Sequence, residues 1–360
     1  MSGSGELLRA LAGRAAAPFD ELRLLAAEIL VAAGMRREPA DTAASLLASA
    51  QLRGIDSHGL SHLPAYVARL LDGAIDPDAQ MRIERPGTCA AVIDARTGLG
   101  VLAARAAVEE ACDLASRHGV GACAVRNSNH FGAAALFVEM AAKRGLIALA
   151  FSNAAPTMAP WGGKEAVLGT NPLAAAFPRP GNTPIVVDMA TSAVARARIR
   201  RSATAGEAIP LDWALDESGA PTSDAQAAMN GTVQPLGGAK GYALALVIEL
   251  LSAALSGGRP GFTVRSPHET GPATAGTSHL FLALDPAKFA GADVAASMIE
   301  TVATKIETSA AGTAGRPRLP GARAAGELDR RTREGIPLSA GLLGSLRDAQ
   351  QQLMRAGRAT

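Results

Sequence analysis

Short apolar runs alternate with helical periodicity from residue 89 to residue 284, and nothing else in the chain limits its fold so strongly. Residues 89–94, 121–125, 146–152, 174–178, 184–188 and 279–284 have the length and apolar content of strands. Between them, residues 101–118, 133–144 and 235–257 read as helices, the last opening on a glycine loop. Such alternation predicts a mixed α/β core. Upstream, Leu22, Leu25, Ile29 and Leu30 repeat at helical spacing, with Asp20 to cap the start and Gly34 to end the turn. Residues 39–54 and 57–71 predict two more helices, and helix returns at 287–307 and 342–356. The division expected is a loose extension at 1–18, a helical domain from 19–80 plus 287–360, and a central α/β domain at 81–286. Residues 308–317 have the composition of a connector, and no internal repeat is visible.

Composition narrows the function. Of 360 residues 48% are hydrophobic but only 3% aromatic, which points to an interior of closely packed alanines. A net charge of +2 makes no case for a nucleic-acid or membrane surface. No run of about 18 uncharged apolar residues predicts a membrane span. The glycine- and alanine-rich start lacks the apolar stretch of a signal peptide. Cys89, Cys112 and Cys123 are too few and wrongly spaced for a disulfide framework or a structural zinc site, and fit a reducing cytoplasm.

The chemistry concentrates in two polar turns. Asn127-Ser128-Asn129-His130-Phe131-Gly132 joins the strand at 121–125 to the helix at 133–144, where sheets commonly place reactive groups and where a helix N-terminus meets anions. Asp56-Ser57-His58 sets an acid, a hydroxyl and an imidazole side by side, suited to proton transfer near neutral pH. His58 and His62 stand four apart, as in a helical metal pair, but no metal is expected, because the H-E-x-x-H glutamate and a third ligand are missing. Residues 98–103 match G-x-G-x-x-A, yet the following strand ends at Val125-Arg126-Asn127 with no acid for a ribose; a tight strand-to-helix turn is the simpler reading.

Six motifs in order carry a resemblance. They are Gly54-Ile55-Asp56-Ser57-His58-Gly59 with Pro64 and Tyr66, the 127–132 turn, Gly169-Thr170-Asn171-Pro172, Asp188-Met189-Ala190-Thr191-Ser192, Gly237-Gly238-Ala239-Lys240-Gly241-Tyr242, and Leu319-Pro320-Gly321. Together they resemble the malate/L-lactate dehydrogenase family of the non-Rossmann type, which includes ureidoglycolate and sulfolactate dehydrogenases and cyclic imino acid reductases. The resemblance implies a largely antiparallel central sheet, NAD or NADP as cofactor, a 2-hydroxy/2-oxo acid or related imine as substrate, and a homodimer. It implies His58 as proton donor, with Ser57 and Asp56 to orient it, and His130 beside the nicotinamide. Phe131, Gly132, Ala133, Ala134, Asp188, Met189, Ala190, Lys240, Arg318, Gly321 and Arg323 fall on cofactor contacts, and Thr170 and Asn171 on substrate contacts.

Two positions depart from the family pattern. His62 stands where an arginine usually grips the substrate carboxylate with a planar charged fork. Ala195-Arg196-Ala197-Arg198 replaces the usual A-x-G followed by Lys, Asp or Glu, so Arg198 cannot serve as the carboxylate assigned to the histidine relay in imino acid reductases. An altered substrate is therefore expected, with Arg196 or Arg198 as replacement anion contacts, and a degenerate binding protein or a redox-neutral epimerase as alternatives.

Overall fold

The computed structural model describes residues 3–313 and 315–357. Its centre is a seven-stranded sheet of β2 (Arg82–Gly87), β3 (Ala90–Asp94), β4 (Val120–Ser128), β5 (Ile147–Ser152), β6 (Leu173–Phe177), β7 (Ile185–Met189) and β10 (Thr277–Leu284). The order across the sheet is β2-β3-β4-β10-β5-β6-β7, and only β3 and β4 run parallel. This is the mixed α/β, largely antiparallel architecture that the resemblance implied. Sequence reading missed β2, which carries Arg82, Glu84, Arg85 and Pro86 and so shows no apolar run; it is an edge strand, where charge and proline are tolerated.

Alternating residues of β10 feed two layers. Phe281 and Ala283 join a core with α5 (Gly100–His118) and α6 (Ala134–Lys143), while Leu280 packs on the other side with Ile248 of α9 (Ala239–Ser256). Small residues set these distances. A Cβ on Gly121 would strike the Ala111 carbonyl of α5, and one on Gly100 would strike the backbone of Asn129. The 98–103 glycine motif is thus a packing device that seats α5 against the Asn129-His130 turn.

The helical part combines α2 (Phe19–Ala32), α3 (Arg37–Leu52), α4 (Leu63–Leu71), α11 (Ala322–Glu334) and α12 (Ala340–Arg355). Leu22, Leu25, Leu30, Leu47, Leu63, Val67, Leu346 and Leu353 share one core there. Residues 3–17 are not a loose extension. The amphipathic α1 (Gly3–Ala10) lays Leu7 and Leu8 on that core, and β1 (Ala16–Ala17) pairs with β11 (Ile336–Pro337). Nor does α10 (Ala292–Glu307) join the helical part: Glu300 and Glu307 pair with Arg179, just past β6, at 2.9 and 3.6 Å. A small lobe of α7 (Arg196–Ala205), α8 (Ala225–Asn230), β8 (Ala214–Leu215) and β9 (Thr232–Val233) closes over Met158, Leu168 and Ile199.

The helix expected at 57–71 is broken. Two 3-10 turns, Asp56–His58 and Leu60–His62, precede α4. Gly59 between them takes φ −102°, ψ −136°, outside the helical region, and a Cβ there would lie 2.9–3.0 Å from Gln51 and the Leu47 carbonyl of α3. Close seating on α3 therefore forces the break.

Candidate active site

The break brings His58 and His62 to the Asn127–Gly132 turn. His58 and His130 stack with ring centroids 5.7 Å apart, and His62 lies 4.4 Å from His130 and 5.7 Å from His58. His268, from the loop before β10, stacks 5.7 Å from His62. Two imidazoles far apart in sequence thus meet in one cluster, together with two more. The Ser57 hydroxyl shares a 2.8 Å hydrogen bond with Nδ1 of His58. When Nδ1–H donates to that hydroxyl, Nε2 is left as the proton-accepting nitrogen.

His130 is fixed from behind. Tyr66, 1% exposed, places its hydroxyl 2.8 Å from Nδ1, and the Gly132 amide donates to the same nitrogen at 3.4 Å. Nδ1 as acceptor assigns the ring proton to Nε2. Burial pushes the Tyr66 phenol pKa up, so it stays a donor. Burial also lowers the pKa of His58. His62 drops to about 3 through burial and then through His58 and His268, and His130 falls well below 6.5 through burial and the neighbouring rings. At neutral pH the cluster is uncharged, so His62 cannot replace an arginine by charge.

Asp56 does not face His58. Its carboxylate accepts from Gln51 at 2.7 Å and from Arg331 of α11 at 2.8 Å. Arg331 also donates to the Gln51 carbonyl at 2.6 Å and to Glu327 at 2.7 Å. The Asp56 side chain anchors the Ser57-His58 turn to α3 and α11 and makes no hydrogen bond to the imidazole.

Beyond Ile55 and the start of α6 opens a cavity of about 650 Å³, lined among others by Asp188, Asn182, Thr183, Gly321 and Arg323. That volume suits a large cofactor. Asp188 caps α6 by accepting from the Ala135 amide at 2.9 Å; desolvation raises its pKa against that hydrogen bond. Of the cavity's cations, Arg53 and Lys143 are bound to Glu139 at 2.8 and 2.9 Å, whereas Arg323 reaches only the Gly54 carbonyl at 3.4 Å. Arg323 is thus left without a carboxylate partner among the described residues. Gly132, at φ +78°, and Gly321, at φ +88°, pass too close to the His58 carbonyl and to Val186 for a relaxed side chain. Asp188, Arg323 and these backbone turns fit a dinucleotide.

Several expected contacts lie elsewhere. The Phe131 ring is core, packed on Phe137, His279 and Phe281, so only its backbone is near the turn. Ala133 and Ala134 are buried at the N-terminus of α6, and neither Met189, the last residue of β7, nor Ala190 after it lines the cavity. Asn171 is fully buried: it accepts from the Ala154 amide and donates to Ala245 and Glu249, which makes it a bracket for α9. The Thr170 carbonyl is taken by the amide and hydroxyl of Thr191. Lys240 and Arg318 are exposed and do not line the Asp188 cavity. Arg198 stacks on Trp213 at 4.5 Å. Arg196 does line a cavity, of about 710 Å³, together with Arg200 and Arg265. Sequence reading passed over Arg200, Arg265 and His268. The charge of the 196–201 run was the signal for Arg200; Arg265 and His268 had none.

A largely antiparallel sheet, clustered imidazoles and a nucleotide-sized cavity together fit one class: oxidoreductases outside the Rossmann pattern. Residues 17–347 match the malate/L-lactate dehydrogenase family, and the chain belongs to it. A relative in Chromohalobacter salexigens, (2R)-3-sulfolactate dehydrogenase (NADP(+)), is 46% identical over 269 residues, 75% of this chain and 80% of that one. Delta(1)-pyrroline-2-carboxylate reductase 1 of Burkholderia ambifaria is 36% identical over 280 residues, 78% of this chain and 82% of its own. Among solved structures, sulfolactate dehydrogenase from Methanocaldococcus jannaschii superposes with a TM-score of 0.86 at 33% identity, covering 94% of this chain and 97% of that one. The chain is accordingly an oxidoreductase acting on hydroxy or oxo acids or imines.

Proposed function

We propose that this enzyme interconverts a 2-hydroxy acid and its 2-oxo acid with NADP or NAD, using His58 as the proton carrier. The observation that carries this reading is the Ser57–His58 hydrogen bond facing His130, on the turn that follows Ile55 of the Asp188 cavity. When bound, the nicotinamide supplies or accepts the hydride. In oxidation, Nε2 of His58 takes the hydroxyl proton while Nδ1–H stays on Ser57. In reduction, protonated His58 returns it to the carbonyl oxygen. His130, held by Tyr66 and Gly132, walls the ring side and donates from Nε2. Arg323 and the turns at Gly132 and Gly321 hold the dinucleotide. A bound carboxylate offsets the low pKa of His58, so the substrate helps create the acid form. An imine substrate, as in the name of the Burkholderia relative, is the second reading; Asp56 tied to Arg331 and Arg198 on Trp213 leave it without a relay carboxylate. Oxidation of NADPH and NADH against oxaloacetate, 3-sulfopyruvate, pyruvate and a cyclic imine tests this. Turnover of the oxo acids supports it, and turnover of the imine alone contradicts it.

The working unit we infer is a homodimer. Leu246, Val247, Leu250 and Leu255 on α9 and Val294, Met298 and Val302 on α10 are exposed. By length and composition α9 could also cross a membrane. Against that, Glu249 at its middle accepts from Asn153, Asn171 and the Gly261 amide, tying it into the protein. Light scattering should give a dimer; a monomer at micromolar concentration contradicts it. The described cysteines are free, and burial raises the thiol pKa of Cys112 to about 11, which suits a reducing cytoplasm.

A further inference from the structure

Three arginines from two distant segments surround the cavity of about 710 Å³: Arg196 and Arg200 on α7, and Arg265 in the loop before β10. Thr157, Phe262 and Glu269 line it as well. The arginines are not equally free. Arg196 donates to the Met229 carbonyl at 2.7 Å, and Arg265 pairs with Glu269 at 3.2 Å. The Arg200 guanidinium has no hydrogen bond or ion pair among the described residues. Three guanidiniums against one carboxylate leave an excess of two positive charges. The cavity adjoins the histidine cleft: Ala155, Val264 and Arg265 also line the small recess that touches Tyr66 and His130, and His268, stacked on His62, lies within the field of Arg200.

We propose that Arg200, supported by Arg265 and Arg196, binds the second anionic group of a dianionic 2-oxo or 2-hydroxy acid and so selects dianions over monoanions. The assignment rests on the oxidoreductase reading above. With a neutral histidine at position 62, the positive charge offered to such a substrate comes from these arginines. A second carboxylate or a sulfonate has the planar or tripodal oxygens that a guanidinium fork recognises. Both point the same way, and the panel separates them.

The test is the ratio of kcat/KM for oxaloacetate and for 3-sulfopyruvate to that for pyruvate, with NADPH, in wild type and in Arg200→Gln. The ratio should fall about 10- to 100-fold, mainly through the KM of the dianions. Arg200→Lys should recover part of it. An unchanged ratio, or equal loss on all three acids, overturns the proposal. Arg200 is exposed, so the variant should fold. If wild type turns over none of the acids, the oxo-acid reading fails, and calorimetry with malonate then decides the anion site: wild-type binding that is lost in Arg200→Gln supports it, and binding retained in the variant, or absent from wild type, overturns it.

Discussion

His279 gives the fold a measurable acid sensitivity. The ring is fully buried in β10, with Nδ1 2.8 Å from the Ser152 hydroxyl, Nε2 2.9 Å from the Ser128 hydroxyl, and Phe131 edge-on at 4.6 Å. Burial drives its pKa from 6.5 to about 3. In the unfolded chain it titrates near 6.5, so below that pH the unfolded state takes up a proton that the folded state refuses. The sign follows: this contribution to stability is complete above about pH 6.5 and is lost as pH falls toward 3. At pH 5 the folded ring is still neutral. The loss is then set by the unfolded ring: about 1.5 pH units at about 1.4 kcal/mol each, or about 2 kcal/mol. Urea unfolding of wild type and His279→Gln at pH 7.5 and pH 5 isolates it. The variant should lose about 2 kcal/mol less than wild type between the two pH values, whatever its absolute stability. Equal losses would refute the reasoning.

Three further outcomes follow from the cleft. Tyr66→Phe leaves His130 Nδ1 with only the long Gly132 hydrogen bond; we expect about 1–3 kcal/mol of destabilisation by thermal unfolding and a lower kcat. Unchanged stability and kcat would remove Tyr66 from the site. Arg323→Gln should raise the KM for the cofactor about 10-fold with little change in kcat, measured by initial rates at saturating oxo acid. An unchanged KM would place the phosphates elsewhere. His62→Arg introduces a permanent charge between His58 and His268, and should shift relative kcat/KM between monoanionic and dianionic oxo acids about 10-fold. No shift would show that position 62 does not set selectivity.

Much of this was legible in the chain because the signals were local. The period of the apolar runs gave six of the seven sheet strands, and two histidine turns flanked by small residues stood out as chemistry. What was not legible came from packing. Nothing in Asn127–Gly132 distinguishes a ring facing a ligand from one facing the core, and Phe131 fills the core between Phe137 and His279. Asn171 reads as turn chemistry until Glu249, 78 residues later, is seen to need it. Asp56 looks like a partner for its neighbour His58, but Arg331, 275 residues away, claims it. The arginine cavity joins α7 to a loop with no periodicity, and only the folded chain brings Arg200 toward His268.

The proposed reaction depends on the proton at His58. Initial rates of NADPH oxidation with oxaloacetate and 3-sulfopyruvate, in wild type and His58→Gln, measure it, with cofactor binding followed by nicotinamide fluorescence. We predict a fall in kcat of about 10²-fold or more, while the affinity for NADPH holds within about 3-fold. A His58→Gln enzyme that keeps wild-type kcat on both acids would contradict the account at its centre.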